Sequence, residues 1–387
     1  MTKKTVGFIP LRKNSKGIPS KNKKKLLGRP LFTWVLTEAI FSKLDEIYIF
    51  TDDDEILDYV EKHFNWTARV SCLKRSSENA EDTSSTEDAI LEFCDKISYD
   101  FDVFCLLQAT SPLTNRADID KALTKLQEEN LDAILSVVKT HRFIWSKEGK
   151  SLNYDIHNRP RRQDFEGLLV ENGAIYCTTK EALQASKNRI SGSIGTIEMD
   201  EDSFVEIDSS SDWLVVEQLL AATFKKQKSC SKINHLVLDM DGVFTDGTVT
   251  FTKDGEFSKA FDMRDGMGLE ILRQSHVKVI IMTSENSEVV KQRMKKLQIE
   301  DVFLGIKDKY SCLENICKER NIALHEVAYI GDDINDLSNM VRVGWSFCPS
   351  NGKKDILYHA DIILKNSSGH GAIREAAEFI INYNTRF

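Results

Sequence analysis

The feature that most constrains this sequence is an alternation that runs twice. Short apolar stretches of strand length take turns with amphipathic stretches of helix length, and a polar segment at 225–232 separates the two runs. Strands that alternate with helices build a parallel sheet covered by helices. In the first run, residues 6–9, 46–50, 101–107, 132–138, 168–178 and 204–207 read as strands, and 31–42, 86–97, 117–129 and 213–224 as helices. The stretch 141–164 lacks helical periodicity and reads as a hairpin-like insertion. The second run starts at His235 and continues to the end of the chain. The expectation is an α/β protein of two Rossmann-like three-layer domains, 1–228 and 233–387. A chain of 387 residues fits that number.

Composition narrows the class. With 41% apolar and 29% charged residues the chain can bury ordinary cores. A net charge of −8 argues against wholesale nucleic-acid binding. None of the eight cysteines shows CxxC spacing, and several lie in strand-like runs, so reduced core thiols are expected. No signal peptide or membrane span is visible, which makes a cytoplasmic enzyme the default.

In the first run the chemistry gathers in four places. The strand at 6–9 opens into a loop carrying Arg12, Lys13, Lys16, Lys21, Asn22 and Lys23, with no acid before Glu38. Such a loop at the carboxyl end of a parallel strand suits a polyphosphate. Arg75 and the run Asp82 to Thr86, including Ser84, supply a cation and small hydroxyls ahead of a helix start. Arg161, Arg162, Gln163 and Asp164, with Glu171, Asn172 and Tyr176, offer forked cations and amides for a carboxylate and hydroxyls. Glu206 and Asp208, two residues apart, would share one strand face and suit Mg²⁺ beside a triphosphate.

In the second run an apolar strand delivers Asp239 and Asp241 into a glycine-containing loop, as Leu238-Asp239-Met240-Asp241-Gly242. Asp239 can attack phosphorus, while Asp241 can protonate the leaving oxygen and later activate water. A further strand ends in Thr283, Lys309 follows in Gly305-Ile306-Lys307-Asp308-Lys309, and another strand ends in Asp332, Asp333 and Asp336. The intervals between these pieces hold a hairpin near 249–261 and leave no room for a cap domain.

These motifs carry two resemblances. The ordered blocks IPLRKNSKGIPSKN, RSSENAEDTSSTEDAI, LLQATSPL, RPRRQDFEG, ENGAIY and VEIDSSSDW resemble the acylneuraminate cytidylyltransferases over residues 5 to about 225. That resemblance implies a nucleotidyltransferase fold that joins CTP to a nonulosonic acid, giving a CMP-sugar and pyrophosphate. It places Arg12, Lys21, Asn22, Arg75 and Ser84 on the nucleotide, with Arg12 and Lys21 neutralising charge in catalysis. Gln108, Arg162, Gln163, Asn172 and Tyr176 would hold the sugar, and Glu206 and Asp208 the Mg²⁺. The chain departs from the family pattern with Lys13-Asn14 in place of Gly-Gly and Glu206 in place of Asp. A cytidylyltransferase for Kdo or another ulosonic acid is the alternative.

The second run resembles the haloacid dehalogenase (HAD) phosphatases, in particular the cap-less branch that includes Kdo-8-phosphate phosphatase. Implied roles are Asp239 as nucleophile, Asp241 as acid and base, and Thr283 and Lys309 on the phosphoryl oxygens. Asp332 would join Asp239 and Asp241 around Mg²⁺. Cap-less relatives imply a homotetramer through this domain, and the sugar 9-phosphate is the implied substrate. The competing expectation is a domain that serves only oligomerisation.

Overall fold

The computed structural model describes residues 3–81, 83–253 and 255–387. Asp82, named above, lies outside the described residues. The chain forms two compact units: one holds the chain up to Leu26 together with Pro30–Leu220, the other Leu27–Arg29 and Ala221–Phe387.

The first unit is built on seven strands: β1 (Thr5–Leu11), β2 (Glu46–Thr51), β3 (Val70–Lys74), β4 (Val103–Leu107), β5 (Ala133–Thr140), β6 (Leu168–Thr179) and β7 (Ile194–Glu198). They lie in the order β3-β2-β1-β4-β6-β5-β7. The helices are α1 (Leu31–Phe41), α2 (Asp54–His63), α3 (Thr86–Lys96), α4 (Arg116–Glu128), α5 (Lys180–Ser186) and, up to Leu220, α6 (Ser210–Gln227). β1 is buried on both faces, which is why it reads as a nearly unbroken apolar run. Ile9 and Leu11 pack with α1, α2 and α4 on one side, and Val6 and Phe8 with α3 and α5 on the other. Those are the three expected layers.

The sheet is not wholly parallel, which corrects the sequence reading. β6 runs antiparallel to both β4 and β5. The expected strand at 204–207 is also absent. Glu201–Phe204 is a 3₁₀ turn capped by Asp200, whose Oδ1 accepts from Asp202 N at 3.0 Å. Beyond it the chain is extended but joins no strand, and Ile207 N donates to Thr110 O at 3.0 Å. Apolar alternation shows an extended backbone; only a neighbouring strand makes it part of a sheet. The structure adds α2, β3, α5 and β7, whose short or mixed patterns the sequence reading passed over. α6 runs on to Gln227, so it takes in the first three residues of the segment read as a linker.

The second unit has β8 (His235–Leu238), a hairpin of β9 (Thr250–Thr252) and β10 (Gly255–Ser258), then β11 (Lys278–Met282), β12 (Val302–Phe303), β13 (Val327–Ile330), β14 (Trp345–Cys348) and β15 (Ile362–Ile363). Its parallel sheet has the order β12-β11-β8-β13-β14-β15. Helices α7 (Met263–Gln274), α8 (Glu288–Lys296) and α12 (Ala372–Asn384) pack on Leu236, Leu238, Ile281 and Ile330. The alternate positions Val237, Ile280 and Tyr329 are buried too, as are Leu313 of α9 (Lys309–Glu319), Met340 of α10 (Leu337–Arg342) and Ile356 of α11 (Lys354–His359). The hairpin falls where the sequence placed it. All eight cysteines are free, five of them buried. Among the described residues no helix is long and apolar enough to cross a membrane.

Candidate active sites

In the first unit, parallel strands of the sheet end in functional side chains. Arg12 follows β1, Arg75 follows β3 and Gln108 follows β4. These residues share a cleft of about 330 Å³ with Lys21, Asn22, Ser84, Ser85, Thr86, Glu206 and Asp208. The basic loop is fastened by its own polar groups: Asn22 Nδ2 donates to Arg12 O at 3.1 Å, and Lys13 N to Asp52 Oδ1 at 2.7 Å. Lys13 and Asn14, standing where the related loops have glycines, need no left-handed backbone; the first positive φ beyond β1 is at Ser20. Lys21 Nζ donates to Ile207 O at 2.8 Å and to Asp208 Oδ1 at 3.2 Å.

Arg75 is buried, and its guanidinium donates to Asn79 O. Its Nε, also buried, has no hydrogen-bond partner among the described residues, and burial pushes its pKa down. A buried donor left open on a cleft wall suits an anionic ligand. Ser85 is the N-cap of α3, in a capping box with Asp88, while the Ser84 hydroxyl donates to Glu78 O at 2.9 Å. Ser85 therefore caps the helix, and Ser84 lines the cleft.

Glu206 and Asp208 both face the cleft although no strand carries them, because Ile207 between them turns into the core. Burial, then the nearby Asp208, raises the Glu206 pKa, and Lys21 opposes the rise. Two carboxylates crowded in this way fit a divalent cation. Gly173 makes room for one of them: it sits at φ +71°, and a Cβ there would come within 1.9 Å of Glu206 Oε1.

The expected sugar contacts do not all meet in this cleft. Of the five, Gln108 lines it. Arg162 and Gln163 line a separate depression of about 480 Å³ with Lys139, His141, Glu198 and Glu201. Asn172 is buried and spoken for: Oδ1 accepts from Ser136 Oγ at 2.6 Å, and Nδ2 donates to Ser203 Oγ at 3.1 Å. The ring of Tyr176 is buried, and its hydroxyl donates to the exposed Glu171.

In the second unit the convergence is tighter. β8 lies between β11 and β13, so Asp239, Thr283 and Asp332 emerge from three adjacent parallel strands, and Lys309 opens α9. Lys309 Nζ lies 2.8 Å from Asp239 Oδ1 and 2.7 Å from Asp336 Oδ1, with its side chain 0% exposed. Burial opposes the ammonium, but Asp336 and Asp239 outweigh it and raise the Lys309 pKa. Asp336 is fully used: Tyr329 OH donates to Oδ1 at 2.7 Å, and the backbone N–H of Asp332 donates to Oδ2 at 3.2 Å. Asp336 therefore fixes Lys309 and the Asp332 turn.

Asp239 and Asp332 remain for a cation. Among the described residues, Asp239, Asp332 and Asp336 bring carboxylate oxygens within 4.8 Å of one another. Burial, then Asp336 and Asp239, pushes Asp332 up to about 8, and burial with Asp336 raises Asp239. Asp332 Oδ1 is buried without a hydrogen-bond partner among the described residues. Such a pair fits Mg²⁺. Asp241, expected in the metal set, is not in this group; its Oδ1 accepts from Lys259 Nζ at 2.6 Å. Gly242, at φ +91°, permits the approach: a Cβ there would meet Asp332 Oδ2 at 2.1 Å. Thr283 is buried, and its Oγ1 accepts from Glu285 N at 3.3 Å.

Lys259 and Gly173 are the site residues that the sequence did not single out. A lysine between exposed Ser258 and Ala260 looks like surface, and Asn172-Gly173 inside a strand was read for its amide.

An α/β unit with a cation-rich cleft and another with a carboxylate–lysine cluster define an enzyme that joins a nucleotidyltransferase domain to a HAD-like hydrolase domain. The cytidylyltransferase family profile matches residues 6–213, and that of the haloacid dehalogenase-like hydrolases residues 281–375. Over 386 residues the chain is 33% identical to N-acylneuraminate cytidylyltransferase B of Danio rerio, covering 97% of this chain and 90% of the relative. It therefore belongs to the N-acylneuraminate cytidylyltransferase family. Its second unit is 30% identical to the 3-deoxy-D-manno-octulosonate 8-phosphate phosphatase of Haemophilus influenzae, over 40% of this chain and 86% of that protein. A solved Moraxella catarrhalis phosphatase of the same name, in complex with magnesium ion, phosphate ion and KDO, is 32% identical. It covers 43% of this chain and 94% of its own, with a TM-score of 0.39.

Proposed function

We propose that the first unit transfers CMP from CTP to a nonulosonic acid, and that the second removes phosphate from the 9-phosphate of such an acid. The observation that carries the first half is the single cleft that gathers Arg12, Lys21, Asn22, Arg75 and the two acids Glu206 and Asp208. The anomeric hydroxyl oxygen attacks the α-phosphorus in line, its proton passes to water, and the bond to pyrophosphate breaks. Arg12 and Lys21 take up the charge that develops on the phosphates, and Arg75 offers its open Nε to the nucleotide. Mg²⁺ held by Glu206 and Asp208 supplies charge neutralisation for the triphosphate.

In the second half, an Asp239 oxygen forms a bond to phosphorus as the ester bond breaks. Asp241 gives the leaving oxygen its proton, then takes one from the water that releases phosphate. Lys309 and Thr283 hold the phosphoryl oxygens, and Mg²⁺ on Asp239 and Asp332 supplies further neutralisation. The complete Asp–Lys–Asp wiring favours catalysis over a role in assembly alone. A homotetramer through this unit, with exposed Phe251, Met263 and Met267 available for contact, and a cytoplasmic location complete the reading.

The test is a rate panel with N-acetylneuraminate, KDN, legionaminate and Kdo, each with CTP and Mg²⁺, with and without a terminal phosphate. CMP transfer to a nonulosonic acid and phosphate release from its 9-phosphate are expected. Arg12→Ala and Asp208→Ala should each slow transfer roughly 10²–10³-fold. Undiminished transfer in either folded variant would overturn the first half, and absence of phosphate release the second.

A further inference from the structure

Lys259 follows the β9–β10 hairpin, and its flanking residues Ser258 and Ala260 are exposed. Its own side chain turns inward, is 3% exposed, and brings Nζ to 2.6 Å from Asp241 Oδ1. Thr245 Oγ1 stands 3.5 Å from the same oxygen. Asp241 Oδ2, by contrast, is buried and has no hydrogen-bond partner among the described residues. One oxygen of this carboxyl group is therefore anchored and the other is left open.

An ammonium donates hydrogen bonds and cannot accept them, so Lys259 keeps Oδ1 an acceptor and leaves Oδ2 as the oxygen that exchanges protons. Taking a lysine out of water is costly, and a surface hairpin has no need of a buried cation for its own stability. The burial makes sense as a device that holds the Asp241 rotamer.

We propose that Lys259 is a positioning residue for proton transfer: it grips Asp241 Oδ1 so that Oδ2 faces the ester oxygen of the phosphate. The proposal rests on the phosphatase reading above. As the ester P–O bond breaks and the Asp239 O–P bond forms, the leaving oxygen takes its proton from Asp241 Oδ2. In the second step water passes a proton to Oδ2 while its oxygen displaces Asp239 from phosphorus. Lys259 keeps its protons throughout.

A general acid matters most for a poor leaving group, which gives a readout that mere structural damage would not produce. Lys259→Met and Lys259→Arg are compared with the parent protein in single-turnover release of the alcohol, from an alkyl phosphate and from p-nitrophenyl phosphate. Lys259→Met should slow alcohol release from the alkyl phosphate about 100-fold, with little change in KM, and nitrophenol release far less. Lys259→Arg should restore most of the lost rate. Equal slowing of both substrates, or a change confined to KM, would overturn the proposal. A crystal structure of Lys259→Met decides the geometry independently: Asp241 should leave its rotamer, and an unmoved Asp241 would also overturn it. If the parent protein cleaves neither phosphate, the phosphatase reading fails, and the variant's structure still decides the positioning.

Discussion

Both units set functional side chains at the carboxyl ends of parallel strands, but they wire them in different ways. In the first, Lys21 rests on a backbone carbonyl and on Asp208, whose side chain is 76% exposed. In the second, Lys309 is sealed between Asp239 and Asp336, and Tyr329 braces Asp336 from behind. A cleft that admits a large polyphosphate keeps its donors partly hydrated until the ligand replaces water. A nucleophile that must meet phosphorus at one angle is held in place beforehand. The first site should therefore respond to substitution mainly in binding and rate, and the second in rate and fold together.

Asp239→Asn should separate the two sites most strongly. Phosphate release should fall by about 10⁴-fold while CMP transfer stays as it was, measured on one preparation. A parallel fall in transfer would mean that the two chemistries are not separate.

Next in size is the contrast between Lys309→Met and Lys21→Met. Removing Lys309 leaves buried carboxylates without their cation and should destabilise the second unit by roughly 3–5 kcal/mol. Removing Lys21 should cost the first unit under about 1 kcal/mol, because its charged partner is exposed. Calorimetric unfolding of both variants checks this, and similar losses would erase the distinction.

A third contrast concerns pH. Asp332 has its pKa raised to about 8, so the folded state without metal binds more protons than the unfolded chain up to that pH. Stability without Mg²⁺ should therefore decline as pH rises from about 4 through about 8, the sign required when the unfolded state binds fewer protons. Mg²⁺ should bind more tightly over the same rise and release protons as it does so. Titration calorimetry in buffers of different ionisation enthalpy measures that release, and a proton count of zero at pH 7 would contradict the raised pKa.

Much of the site was legible because strand ends are legible. Asp239, Thr283 and Asp332 each follow a short apolar run, and the parallel sheet then has to place them side by side. Arg12, Arg75 and Gln108 follow the same logic. The sugar contacts were less legible, since Asn172 and Tyr176 have the right chemistry for a ligand and spend it on Ser136, Ser203 and Glu171. Residue type shows what a side chain can bond to, but only its neighbours show what it does bond to.

By itself, the amino-acid order determined two α/β units, the strands that bear the chemistry and the residue types at their ends. Periodicity and local turn chemistry act over a few residues and survive in one dimension. Tertiary structure alone decided that β6 runs against its neighbours and that Glu206 and Asp208 face one cleft without a strand. It also decided that Lys259 turns inward onto Asp241. Each of those outcomes depends on which distant backbone or carboxylate lies within about 3 Å, the range over which hydrogen bonds act.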